Sequence, residues 1–244
     1  MAKQRGIVFF EGTLGGINFY YRKGVPTARR AGGGFNAKAI KTSASMVRVR
    51  ESNSEFALCS KVNKHFKQAF AVFLVGYKDG TLHSRLMRLF LQLKDLDPSS
   101  ERGKRKVGLG FNTADGKQLF SSFNVTPERI PFLQCDYGFD FNRLTFNVSN
   151  YTVNSGHFPE GSDYMEMVVG LVRFNFNSLE YSQVIANPLI VERDFDGTAF
   201  SVSVGAVPEG EGVLIAAVRI AFYQTVNGKG YMLSGGFGVR CFTN

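Results

Sequence analysis

The chain has 244 residues, 44% of them hydrophobic, with 24 Phe and no Trp, enough for a packed core and against wholesale disorder. Its longest apolar run, from Ala69 to Gly76, falls far short of the ~20 residues that span a bilayer as a helix. The net charge of +9 is uneven: residues 1–50 carry ten Lys or Arg against Glu11 alone, residues 51–106 eleven against six acids, and residues 107–244 eight against thirteen. A strongly basic front and an acidic rear call for an acidic partner, or for the rear of another copy.

Only four apolar residues precede Glu11 after the basic start MAKQRG, too few for a secretory segment. Cys59, Cys135 and Cys241 are odd in number and widely spaced, without a CxxC pair. That spacing argues against a disulfide framework or a zinc site and for a reducing cytoplasm. The Asn-x-Ser/Thr triplets at Asn124, Asn147 and Asn150 then read as ordinary strand and turn sequence rather than glycan acceptors.

Taken in chain order, GIVFFE (6–11), INFYYR (17–22) and VPTAR (25–29) are short β-prone runs separated by Gly15-Gly16 and Lys23-Gly24. Those pairs are hairpin chemistry, so the spacing predicts a three-stranded meander, with Pro26 at an edge or a strand start. Gly32-Gly33-Gly34 breaks the unit and a helical period begins. Phe56, Cys59, Val62, Phe66, Phe70 and Phe73 recur at three and four, behind a capping box at Ser52 and Glu55 or an earlier start capped by Thr42 or Ser43, and the tail from Ala69 to Gly76 also suits a strand. A second helix is predicted through Leu82, Leu86, Leu89, Leu93 and Leu96, with Ser84 as its cap and Asp97-Pro98 as its end. Joined by a short turn, the two helices should lie antiparallel. PSSERGKRK (98–106) is polar and reads as a linker.

From residue 107 the period becomes two. Strands are predicted at 107–112, 118–124, 141–149, 164–176, 182–191, 198–204, 213–223 and 231–242, with turns at Asp115-Gly116, Asp196-Gly197, Pro208 to Gly212 and Asn227-Gly228. In VLIAAVRIAFY (213–223) only Arg219 is charged, which places that strand at the centre of a sheet. The fold class is therefore mainly β with a small α part (α+β). A basic β-hairpin and helix-pair module over 1–104 precedes an antiparallel, Ig-like β-sandwich over 105–244.

Three stretches, GTLGGINFYYRKGVPTARR, the segment Ser45 to Phe56 and the last strands with their NGKG turn, resemble a family of uncharacterised Bacteroidota proteins. That family has no assigned activity, so the resemblance implies this architecture and adds no chemistry.

Motifs for catalysis do not assemble. GTLGG lacks the Gly-Lys-Ser/Thr of a phosphate loop and the G-x-G-x-x-G of a dinucleotide fold. His65, His83 and His157 never pair at metal spacing, and Asp136/Asp140 and Asp194/Asp196 read as turn acids. The expectation is a protein that is not an enzyme, with no cofactor, no metal and no evident small-molecule substrate.

What stands out is the front. Arg22, Lys23, Arg29, Arg30, Lys38, Lys41, Arg48 and Arg50 are interleaved with Phe19, Tyr20, Tyr21 and Phe35. Two uses fit. In one, the glycine-rich arm docks on the acidic sandwich of another copy or of a companion protein, making a structural, self-assembling subunit. In the other, the same residues bind nucleic acid without sequence preference, cations on phosphates and rings on bases. The acidic rear favours the first, because a self-complementary subunit uses it and a nucleic-acid binder gains nothing from it.

Overall fold

A computed structural model describes residues 2–31, 37–129 and 131–243; the triple-glycine break and Phe35 lie outside the described residues. The chain divides into two compact units, Met1–Arg50 and Glu51–Asn244. The expected boundary at 104 is not where they part, because the helices after Glu51 share one core with the strands that follow.

The first unit contains β1 (Ala2–Lys3), β2 (Gly12–Leu14), β3 (Ile17–Arg22), β4 (Val25–Arg30) and α1 (Ala37–Thr42), and ends in the first turn of α2 (Val47–Ala69). The antiparallel sheet runs β1-β4-β3-β2. Lys23-Gly24 (φ 51° and 76°) gives the positive-φ pair that a two-residue hairpin needs. The first predicted strand is corrected. Residues 6–11 form none; the Gln4 side chain takes up the backbone of Phe10, donating to its carbonyl (3.2 Å) and accepting from its N–H (2.9 Å). Pro26 does stand near the start of its strand, but β4 is not an edge, since β1 pairs with it.

In the second unit α2 continues to Ala69, a 3-10 turn covers Ala71–Leu74, and α3 (Leu82–Asp95) runs back antiparallel, as the periodicity predicts. The Cys59 thiol meets the Phe90 carbonyl (3.5 Å), and Asn63 Nδ2 donates to the His83 carbonyl (3.0 Å). Phe56 is an exception to the predicted stripe, at 55% exposure. The capping box is also corrected: α2 starts at Val47, and Glu55, two turns inside it, is 3% exposed.

Glu55 has a different task. Its carboxylate accepts a two-pronged pair of bonds from Arg105 (2.8 and 2.9 Å), one from Lys94 Nζ (2.7 Å) and one from the Gly103 N–H (2.8 Å). Asp97, 8% exposed, accepts from the N–H groups of Ser99 (2.9 Å), Ser100 (3.1 Å) and Lys106 (2.8 Å). The stretch 98–106 is therefore a loop pinned by two buried carboxylates, not a linker.

Two predicted strands are helices: α4 (Val107–Phe111) and α5 (Ala114–Ser121). Short apolar runs do not distinguish the two periods. The missed signal was Thr113, whose hydroxyl accepts from the Gly116 N–H (3.0 Å) and caps α5, placing Asp115 in its first turn.

The strands that follow are β5 (Asp136–Asp140), β6 (Thr145–Ser149), β7 (Tyr164–Phe174), β8 (Tyr181–Ile185), β9 (Leu189–Glu192), β10 (Phe200–Ser203), β11 (Val213–Val226), β12 (Lys229–Met232) and β13 (Gly238–Thr243). All pair antiparallel, in a three-stranded sheet β10-β6-β5 and a six-stranded sheet centred on β7 and β11. Each edge of the larger sheet is a broken strand. β8 and β9 share one side of β7, and β12 and β13 share one side of β11. The runs 182–191 and 231–242, read as single strands, split at Pro188 and at Ser234-Gly235-Gly236.

Alternation along β7 and β11 makes the layers. Met165, Met167, Val169 and Leu171, with Ala216, Val218, Ile220 and Phe222, face Phe146, Val148 and Val202 of the small sheet. Val168, Val172 and Phe174, with Ile215, Ala217 and Ala221, face Phe66, Phe90 and Phe111 of the helices. The architecture is mixed α+β: two facing antiparallel sheets, with helices covering the outer face of the larger one.

Candidate interaction surface

Residues directly opposed in an antiparallel ladder share a face. Leu14, Ile17 and Arg30 form one row of the N-terminal sheet; Phe19, Ala28 and Ala2 the next; Tyr21 and Pro26 the third. Phe10 joins them, its ring 5.7 Å from that of Phe19. The opposite face carries Thr13, Asn18 and Arg29, then Tyr20, Thr27 and Lys3, then Arg22 and Val25. There the Arg29 guanidinium lies 5.5 Å from the Tyr20 ring centre.

The expected basic and aromatic residues are thus not one patch. Phe19 and Tyr21 stand on an apolar face whose one cation in these rows is Arg30, whereas Tyr20, Arg22 and Arg29 stand on the other. The alternation of a strand requires this, and the letters Phe19-Tyr20-Tyr21 already imply it. Lys23 sits in the hairpin turn. Lys38 and Lys41 are exposed on α1, and Arg48 is exposed in the first turn of α2. Arg50 is committed elsewhere: its Nη1 donates to the carbonyls of Ile40 (2.7 Å) and Ser43 (2.9 Å), closing the C-terminal end of α1.

The apolar face is solvent-exposed, with Leu14 at 68%, Phe10 at 54%, Tyr21 at 49% and Ile17 at 43%. Among the described residues of the first unit no apolar side chain is buried. Such short strands hold together only when a hydrophobic face is covered.

The acidic excess of residues 107–244 has a focus. Glu180, Glu209 and Glu211 line a cleft of ≈ 390 Å³ with Tyr181 and Ser182. Arg173 fixes its floor by donating to the carbonyls of Pro208 (2.8 Å) and Gly212 (3.3 Å).

The charge inside the central strand is also accounted for. Arg219, 6% exposed, points to the helix side of the sheet and is ion-paired with Glu166, which also accepts from the Tyr223 hydroxyl (3.2 Å). Tyr164 stacks on Tyr223 with ring centres 5.2 Å apart. Pairing the buried Arg219 with the half-buried Glu166 across the two central strands fixes their register, because a one-residue slip would send the partners to opposite faces.

Of the acids read as turn residues, Asp140 acts as one, and Asp136 opens β5. Asp140 accepts from the N–H groups of Asn142 (2.9 Å) and Arg143 (3.2 Å), and Asp136 accepts from Asn150 Nδ2 (2.6 Å). Burial pushes the Cys59 thiol up to about 11 and the Cys241 thiol up to about 12, so neither supplies a thiolate at neutral pH. Among the described residues no His, Cys, Asp and Glu side chains cluster in a way that holds a metal ion, and no helix is long and apolar enough to cross a membrane. No protein-family profile, curated protein or solved structure matches the chain.

Proposed function

We propose that the chain is a non-enzymatic assembly protein of the cytoplasm, whose N-terminal sheet docks on another copy or on a companion protein. The observation that carries this is the apolar face on which Leu14, Ile17 and Tyr21 are exposed and Phe19 is half-buried, in a unit whose described residues bury no apolar side chain. Covering these four side chains is worth roughly 2 kcal/mol each. That sum has to exceed an association cost of several kcal/mol. Charge adds to this: Arg30, the one cation in the rows of that face, complements a carboxylate cleft such as that of Glu180, Glu209 and Glu211. Contact between unlike surfaces is heterologous, so copies that dock this way build rings or filaments.

A second reading rests on the other face, where the Arg29–Tyr20 stack stands beside Arg22 and Lys3. It is a platform for a base with cations for the phosphates on either side. One preparation, nuclease-treated and at low salt, separates the two by light scattering and by gel shift with random DNA and RNA. The assembly reading expects an oligomer that falls to monomer in Ile17→Ser/Phe19→Ser or on deletion of residues 1–35. A strict monomer that shifts nucleic acid with a steep salt dependence defeats it.

A further inference from the structure

The pinned loop 98–106 is held more firmly than a connection requires. Glu55 and Asp97 are buried carboxylates, costly to desolvate, and between them they bind Gly103, Arg105 and the backbone of Ser99, Ser100 and Lys106. This fixes a short segment from which Lys104 and Lys106 project into solvent. Facing them on α2 is Lys61, on the exposed row Ser54, Ala57, Lys61, and the space between is a cleft of ≈ 490 Å³.

The cleft carries a cationic excess. Glu55 is the one carboxylate in its lining, and both its oxygens are occupied by Arg105, Lys94 and the Gly103 N–H. Glu101 reaches Lys104 at 3.1 Å, but both side chains are more than three-quarters exposed, where such a pair contributes little. Half-buried Leu58 and the small exposed edge of Phe176, 6% exposed, provide an apolar wall beside the lysines. Lysines are compact point charges suited to phosphate, and an apolar wall suits a base or sugar.

We propose that this cleft is a binding site for a phosphate ester, with the Nζ groups of Lys61, Lys104 and Lys106 on the phosphate and Phe176 beside the organic part. The pinned loop sets the spacing of two of the three cations in advance, so little ordering remains at the moment of binding. The same chemistry belongs to a free nucleotide and to a single-stranded nucleic acid, and the site lies wholly in the second unit, independent of the N-terminal sheet.

The test uses the full chain at low salt with two probes, ATP by equilibrium dialysis and a short fluorescein-labelled thymidine oligonucleotide by anisotropy. Lys61→Gln/Lys104→Gln/Lys106→Gln is expected to weaken binding by about tenfold or more, and to lower the salt slope for the oligonucleotide by about 2. Lys229→Gln, a charge loss of the same kind on the far hairpin, is expected to change neither. Lys61→Glu alone repeats the result through a single exposed side chain, should the triple variant misfold. Binding of both probes assigns the site to nucleotides, and binding of the oligonucleotide alone assigns it to the polymer. Failure of wild type to bind either probe, or unchanged binding in the lysine variants, overturns the proposal.

Discussion

Glu55→Ala is expected to destabilise the second unit by about 3–5 kcal/mol, the cost of leaving buried charges without their partner. Lys94, itself 6% exposed, loses its 2.7 Å contact, Arg105 loses both prongs, and only Asp95 remains near them. For a protein of this length that is a fall in Tm of roughly 10 °C. Glu55→Gln, which keeps an acceptor for Gly103 but no charge, should fall between. The Arg105 guanidinium, with Lys94 and the Gly103 N–H, holds the carboxyl down at about 2 from its ordinary 4.5, against the opposing effect of burial. A depressed carboxylate stabilises above its unfolded pKa and loses that contribution as the pH falls through its folded one. Wild type should therefore lose about 3 kcal/mol between pH 4.5 and pH 2 that Glu55→Ala does not lose. Denaturant melts of both proteins across that window measure it, and parallel curves would remove Glu55 from the account.

Gly110→Ala is expected to cost about 3 kcal/mol or more, although alanine is the better helix former. A Cβ there would stand 1.7 Å from the Leu93 carbonyl oxygen and 2.8 Å from its carbon. These are backbone atoms in the last turn of α3, so no side-chain rotation relieves the clash and α3 and α4 must separate. Gly116 repeats the arrangement one helix later, with its Cβ position 2.0 Å from the Gly110 carbonyl oxygen. Gly80→Ala, whose Cβ would meet nothing within 4 Å, serves as the control. Equal Tm values for the two variants would contradict the close packing of these helices.

These glycines also explain what the letters concealed. Val107 to Phe111 reads as a β-prone run because Gly108 and Gly110 look like turn or strand punctuation. Gly110 lets α4 meet the backbone of α3 and Gly108 leaves room for the Phe176 side chain, contacts that only the assembled fold displays. The long-period signals were legible: apart from the exposed Phe56, the Phe row, with the Leu row of α3, the Asn227-Gly228 hairpin and the central position of β11, appears as read. Edges were not, since nothing local states that Pro188 or the Gly235-Gly236 pair divides one run into two strands on the same neighbour. The basic and aromatic front was legible as composition but not as a surface. Strict alternation along β3 separates Tyr20 from Phe19 and Tyr21, and Arg50 turns inward to a helix end. Glu55 was found for the wrong reason, its spacing from Ser52 imitating a capping box while its partners lie some forty to fifty residues downstream.

The central claim is that the N-terminal sheet gains its hydrophobic cover from another molecule. Amide hydrogen exchange of β3 and β4, followed as the concentration of the purified chain is raised, tests it most directly. The sheet buries no apolar side chain of its own, so its protection should be slight in dilute solution and climb with concentration. β7 and β11, whose facing side chains are buried on both sides, should exchange slowly throughout. Strong protection of residues 17–30 that stays the same from the most dilute to the most concentrated sample would contradict the claim.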